Sequence, residues 1–108
     1  MASTANIVID QGTTFSTNLV LTNDDGTNKD LTDYTVASQI RKSYYTNTYT
    51  NFTTSKVDLE GEITLSLTAT QTSALKAGRY VYDVEISSAD ETVRVVEGIV
   101  TVTPEVTK

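Results

Sequence analysis

Chemistry in this chain would have to come from a short acidic stretch, a pair of carboxylates on one strand, or a tract of aromatic residues and cations. Asp24, Asp25, Asp30 and Asp33 lie close together and are the one place where a hard cation could meet several carboxylates. Calcium takes about six to eight oxygen ligands. The run Asp24-Asp25-Gly26-Thr27-Asn28-Lys29-Asp30 lacks a bidentate Glu at the right distance and has Lys29 inside it, so a solvated turn is expected there. Asp83 and Glu85 are outward neighbours on one strand. Two carboxylates on a flat exposed strand, with no pocket to desolvate either, are not poised for proton transfer. The chain has no His and no Cys. That removes the commonest general base, the thiol nucleophile and the thiolate or imidazole ligands of transition metals. Its Ser residues stand in no Gly-Xaa-Ser-Xaa-Gly context. The expectation is a non-enzymatic protein without a cofactor or metal.

The third group is different in kind. Arg41, Lys42, Tyr44, Tyr45, Tyr49 and Phe52 combine large flat side chains with two cations. Tyr and Arg are enriched where proteins bind one another, because they bring contact area at low entropic cost. A protein interface built on Arg41, Tyr44, Tyr45, Tyr49 and Phe52 is the leading expectation, with a carbohydrate- or host-surface-binding module as the alternative. Nucleic acid is not expected: the net charge is −6, and nonspecific binding needs clustered Lys and Arg. Asn51-Phe52-Thr53 satisfies the glycosylation pattern, but the N-terminus has no basic, then apolar, secretion signal to give it weight. No apolar stretch approaches the roughly 20 residues that span a bilayer, so no membrane partner and a cytosolic site of synthesis are expected.

Strands must position these residues. In Gly61–Ile86, Ile63, Leu65 and Leu67 fall on one face, with Thr64, Ser66 and Thr68 on the other. Tyr80, Tyr82, Val84 and Ile86 alternate in the same way with Val81, Asp83 and Glu85. A period of two with one apolar face describes a strand packed on a core. Similar patterns run over Asn6–Ile9, over Phe15–Thr22 with Phe15, Thr17, Leu19 and Leu21 inward, and over Tyr34–Arg41 with Tyr34, Val36, Ser38 and Ile40 inward. Val93–Val102 reads as the last strand, where Gly98 suggests a bulge. Asn23-Asp24-Asp25-Gly26 and Ser88-Ala89-Asp90-Glu91 carry turn chemistry. Thr70–Leu75 reads as one helical turn capped by Thr70, with Gly78 just past its end. The least regular part, Lys42–Ser55, reads as a long hairpin or an edge strand.

About seven short strands with turns between them predict an all-β, immunoglobulin-like β-sandwich of antiparallel strands. Residues 1–108 are expected to form one domain with short extended termini, Ala2–Ala5 and Glu105–Lys108 lacking core partners of their own. Those ends are expected to act as tethers to a neighbour's sheet edge. Tyr80 follows a corner and stands where a tyrosine corner would bond back to the preceding connection.

Three segments carry a likeness to a known family: Asp30-Leu31-Thr32-Asp33-Tyr34-Thr35-Val36, the Gly61–Ile86 block, and Glu97-Gly98-Ile99-Val100-Thr101-Val102-Thr103-Pro104. Together they resemble the immunoglobulin-like domains of tailed-bacteriophage virion proteins, above all the N-terminal domain of phage baseplate upper proteins. In that type a Leu-Thr-Gly-Xaa-Xaa-Val segment opens a strand and a Leu-Xaa-Xaa-Gly-Xaa-Tyr corner precedes Tyr-Asp. Leu31 to Val36 and Leu75 to Asp83 look like these, with Asp33 in place of Gly. The resemblance implies a virion structural protein: a capsid decoration, or an adaptor of the neck, tail or baseplate. Its partners would be other phage structural proteins, with a homo-oligomer in the particle. The matching motifs are core positions and corners, so they carry over no catalytic or ligand residue.

Overall fold

The computed structural model describes residues 3–43 and 45–106. Among the described residues nine strands form two sheets: β1 (Ser3–Thr4), β2 (Ile7–Asp10), β3 (Phe15–Val20), β4 (Thr35–Arg41), β5 (Thr50–Asn51), β6 (Thr53–Val57), β7 (Glu62–Leu67), β8 (Gly78–Ser87) and β9 (Thr92–Thr103). One sheet runs β9-β8-β4-β5, with both β1 and β2 lying parallel against β9; the other runs β3-β7-β6. All other pairings are antiparallel. This is an immunoglobulin-like sandwich: the first strands sit on the last, and the two sheets enclose one apolar cluster.

The alternating faces lie as their sequences dictate. Ile63, Leu65 and Leu67 of β7 oppose Tyr82, Val84 and Ile86 of β8 across the core, and all six are buried. Each contributes about 1.5–3 kcal/mol by leaving water, which explains why a short chain without a disulfide can hold this shape. β3 turns Phe15, Thr17 and Leu19 inward, and β4 turns in Ser38 and Ile40. Ser38 is a polar residue at a core position, and its hydroxyl donates to the Asp83 carbonyl at 2.6 Å. That bond removes the cost of burying it unpaired.

Four details depart from the sequence reading. The helical turn, α1, spans Ala69–Ser73 and its cap is Thr68 rather than Thr70. The reason is a capping box: the Gln71 amide donates to the Thr68 hydroxyl at 3.2 Å, and the Thr68 amide donates to the Gln71 side chain at 2.9 Å. Secondly, the bulge in β9 does not fall at Gly98. Val84 pairs with Val96 and Glu85 with Arg94, which leaves Val95 as the extra residue. Thirdly, Lys42–Ser55 is neither one hairpin nor one edge strand, because the chain pairs with β4 at Thr50–Asn51 and with β7 from Thr53 onward.

The fourth departure concerns the N-terminal end, which is not a free tether from Ser3 onward. Ser3 and Thr4 pair with Val96 and Glu97, and the Ala5 amide donates to the Glu97 carbonyl at 2.9 Å. The buried Tyr82 phenol donates to the Ala5 carbonyl at 2.5 Å. Gly98, directly across from Tyr82, makes room for this: a Cβ there would lie 2.1 Å from the Ala5 oxygen. Near the other end, the Glu105 amide donates to the Gln11 side chain at 3.1 Å. Met1, Ala2, Thr107 and Lys108 lie outside the described residues.

Gly98→Ala therefore has to push the Ala5 backbone off β9. Overpacking of this kind costs about 1–3 kcal/mol, to be read from the denaturant midpoint. A midpoint equal to that of the parent chain would show that the N-terminal segment is not held there.

Candidate functional site

The aromatic tract begins where β4 ends. Arg41, its last residue, donates from Nη1 to the Thr46 carbonyl at 2.5 Å and from Nη2 to the Gln39 side chain at 2.9 Å. Its guanidinium lies 4.8 Å from the centre of the Tyr49 ring. The loop is closed further by the Thr46 amide donating to the Ser43 carbonyl at 3.2 Å and by a 2.9 Å contact between the two hydroxyls. Arg41 is thus a clamp on the loop. Its donors face the protein's own loop carbonyl and the Gln39 side chain, and its charge is covered by Tyr49, an arrangement worth about 0.5–1 kcal/mol for the cation–π contact alone at an exposed site.

What the clamp displays is aromatic. Tyr45 is 94% exposed and Tyr49 52%. Lys42 lies on the same loop and places its Nζ 4.9 Å from the centre of the Tyr80 ring. Tyr80 in turn donates to the Lys76 carbonyl at 2.7 Å, the expected tyrosine corner. Tyr44 lies outside the described residues.

Phe52 has to be struck from the interface. It is 5% exposed and belongs to the core cluster. Its ring centre is 6.1 Å from Phe15 on one sheet and 6.1 Å from Tyr82 on the other, edge-on to the latter. The physical reason is the crossing between sheets: the one residue between β5 and β6 must turn its side chain into the gap. Of the five interface candidates, Arg41 and Tyr49 are in contact, with Arg41 in a holding role, and Tyr45 stands exposed on the same loop.

A concavity of about 310 Å³ opens beside Arg41 on the outer face of the larger sheet. It is lined by Gln39, Arg41, Val81, Asp83, Glu85 and Arg94, among others, but by neither Tyr45 nor Tyr49. Arg94 Nε lies 3.2 Å from Asp83 and Nη1 lies 3.8 Å from Glu97. Asp83 and Glu85 are therefore part of a charged surface in which Asp83 has a cation partner. Sequence reasoning missed Arg94, since only the bulge at Val95 brings it opposite Glu85.

The acidic stretch forms two local turns. Asp25 accepts from the Thr27 amide at 3.0 Å and hydroxyl at 2.6 Å, and Asp30 accepts from the Thr32 amide at 2.9 Å and hydroxyl at 2.5 Å. The hydroxyl bond first, then the amide bond, holds each carboxyl below the ordinary aspartate value of 3.8. Among the described residues, no group of three or more acidic side chains is placed to hold a metal ion. Nearby, the Tyr34 phenol donates to Glu91 at 2.6 Å, and this bond pushes it above the ordinary 10.0. Burial pushes Tyr82 in the same direction.

No family model matches the sequence, and no curated protein matches it. Among solved structures, the crystal structure of Listeria monocytogenes InlP aligns with a TM-score of 0.52 at 17% identity, over 94% of this chain and 28% of that one. The chain thus spans less than a third of the InlP chain it matches. At that identity the likeness speaks for the sandwich fold alone. No helix among the described residues is long and apolar enough to cross a membrane.

The turn carboxylates set an acid-side expectation. Their folded values lie below the unfolded value of 3.8, so the stability their bonds contribute is complete above that pH and is lost as pH falls through the depressed values. Asp30→Asn should flatten the acid limb of a stability–pH curve while leaving the neutral-pH fold intact. An acid limb identical to the parent's would contradict this.

Proposed function

We propose that this chain is a non-enzymatic structural protein of a tailed-bacteriophage virion, synthesised in the host cytoplasm, which binds other virion subunits. It would serve as a capsid decoration or as an adaptor of the neck, tail or baseplate. Two lines support the reading. The first is the resemblance of Leu31 to Val36 and Leu75 to Asp83 to the immunoglobulin-like domains of phage virion proteins. The second, and the observation that carries the binding role, is that Tyr45 and Tyr49 are exposed on a loop clamped by Arg41.

A clamped loop binds better than a floppy one because its ordering cost is met in folding. Tyr adds contact area with few rotors, which suits a central anchor of an interface. One such loop gives a weak contact. Repetition over a symmetric particle multiplies weak contacts into firm attachment without any new interaction. In this reading, binding requires no change of shape: the sandwich presents the loop and the partner covers it.

The second reading, a carbohydrate- or host-surface-binding module, draws on the same exposed rings. Sugar sites usually combine an aromatic platform with converging polar groups in a concavity. The concavity beside Arg41 excludes both Tyr45 and Tyr49, so the platform and the hollow are not the same place. This favours a protein partner over a sugar.

Tyr45→Ala should leave stability within about 0.5 kcal/mol of the parent, as for surface positions that hold nothing. The same variant, with Tyr49→Ala added, should be depleted from purified particles when parent and variant are co-expressed and occupancy is read by mass spectrometry. Equal occupancy would remove the loop from the interface. Saturable binding in a glycan titration that disappears in Tyr45→Ala would instead establish the second reading.

A further inference from the structure

The charges of this chain are sorted by the two ends of the sandwich. β2, β4, β7 and β9 finish at one end, where β3, β6 and β8 begin. The Gln11 side chain donating to the Leu75 carbonyl at 2.8 Å and the Gly12 amide donating to the Thr72 hydroxyl at 3.0 Å tie the two sheets together there. At the far end lie loops 21–34, 58–61 and 88–91, joined by the Leu31 amide donating to the Asp58 carbonyl at 2.9 Å and by the bond from Tyr34 to Glu91. Those three loops carry eight carboxylates and one cation, Lys29. The first end reverses the sign. Its segments 10–14, 41–43, 45–49, 68–79 and 103–106 carry Arg41, Lys42, Lys76 and Arg79 against Asp10 and Glu105. A chain of net charge −6 thus keeps four of its eight cations at the end that displays Tyr45 and Tyr49.

The four cations form one group. The register pairs Arg41 with Val81, which makes Arg41 and Arg79 diagonal neighbours on the outer face of the larger sheet. On the other face of these strands, Lys42 Nζ lies beside the Tyr80 ring and 3.1 Å from where a Cβ of Gly78 would stand. The Tyr80 phenol donates to the Lys76 carbonyl, which brings Lys76 to the same corner. Lys42, Lys76 and Arg79 are exposed. Lys56 and Arg94 have carboxylate partners, but among the described residues none of these four does. The two carboxylates of this end are turned elsewhere. Asp10 accepts from the Thr103 hydroxyl at 2.8 Å and the Glu105 carboxylate lies over Gly12, both at the β2 edge, with β9 and β8 between them and β4.

We propose that the end bearing Tyr45 and Tyr49 docks an acidic surface of a partner protein, whose carboxylates pair with Lys42, Lys76 and Arg79. The proposal rests on the reading of the tyrosine loop as an interface and adds the charge of what covers it. Complementary sign speeds encounter and fixes orientation more than it adds affinity. The opposite, acidic end repels the same partner, so it arrives at the tyrosines, which then supply the contact area. Two properties choose a protein partner other than a second copy or a nucleic acid. Two molecules of net charge −6 repel each other, and so do this chain and a phosphate backbone outside the one basic end.

The probe is poly-L-glutamate, titrated into the native chain at low salt and followed by amide chemical shifts. Shifts are expected in 45–49 and 76–80 and not in the loops of the acidic end. Lys76→Gln with Arg79→Gln, two exposed positions that hold nothing in the fold, should weaken binding about fivefold or more, as the loss of two surface ion pairs would. Lys29→Gln with Ala89→Glu makes the chain more negative by the same two charges at the opposite end, and should change binding by less than about twofold, since distant surface charges are screened. Equal weakening in the two variants would overturn the proposal, because net charge alone would then govern binding. So would poly-glutamate that shifts no amide at this end, or duplex DNA that binds the same residues more tightly. Self-association in sedimentation that Lys76→Gln with Arg79→Gln abolishes would overturn it in favour of a second copy. The loop itself is tested apart, by particle occupancy of Tyr45→Ala with Tyr49→Ala. Depletion there beside equal weakening here would keep the interface and remove only its acidic partner.

Discussion

The structure depends on one crossing. At Phe52 the chain leaves the larger sheet and enters the smaller one within a single residue, between Asn51 of β5 and Thr53 of β6. The Phe52 amide donates to the Ser38 carbonyl at 3.0 Å while its ring fills the space between Phe15 and Tyr82. An aromatic side chain of this kind buries on the order of 150–250 Å². Its ring reaches side chains of both sheets, which pack about 10 Å apart. The crossing fixes the return of the loop that Arg41 clamps at its start, so the display of Tyr45 and Tyr49 rests on a core contact as much as on a surface one.

A second junction closes the sandwich at its other side. Ser3 to Ala5 have no large apolar side chain, and they are held by backbone bonds to β9 and by the Tyr82 phenol. Tyr82 thus joins both junctions: its ring meets Phe52 and its hydroxyl meets Ala5. The absence of a side chain at Gly98 is what lets the segment lie so close. Once the first strands are committed to β9, nothing among the described residues pairs with the outer side of β3.

Much of this was legible in the sequence where burial and pattern agree. Ile63, Leu65 and Leu67, or Tyr82, Val84 and Ile86, alternate because one side faces a core and the other faces water. The Tyr80 corner could be read because its position relative to Gly78 is a local matter. Phe52 was misread as surface because its neighbours, Thr50, Asn51, Thr53 and Thr54, are polar and follow no single period across a change of sheet. Ser3 to Ala5 were misread as a tail because backbone pairing leaves no trace in side-chain polarity. The role of Gly98 is likewise set by a segment more than ninety residues away in sequence. Of the candidate site, residue types identified Arg41, Tyr45 and Tyr49, but only geometry separates the clamp from what it displays.

The most direct measurement is a cryo-EM map of particles that carry this chain. The account predicts density for the sandwich at symmetric positions on the shell or on the neck, tail or baseplate, with Tyr45 and Tyr49 covered by a neighbouring subunit. A map in which that loop faces solvent while another face makes the contact, or particles that lack the chain altogether, would contradict it.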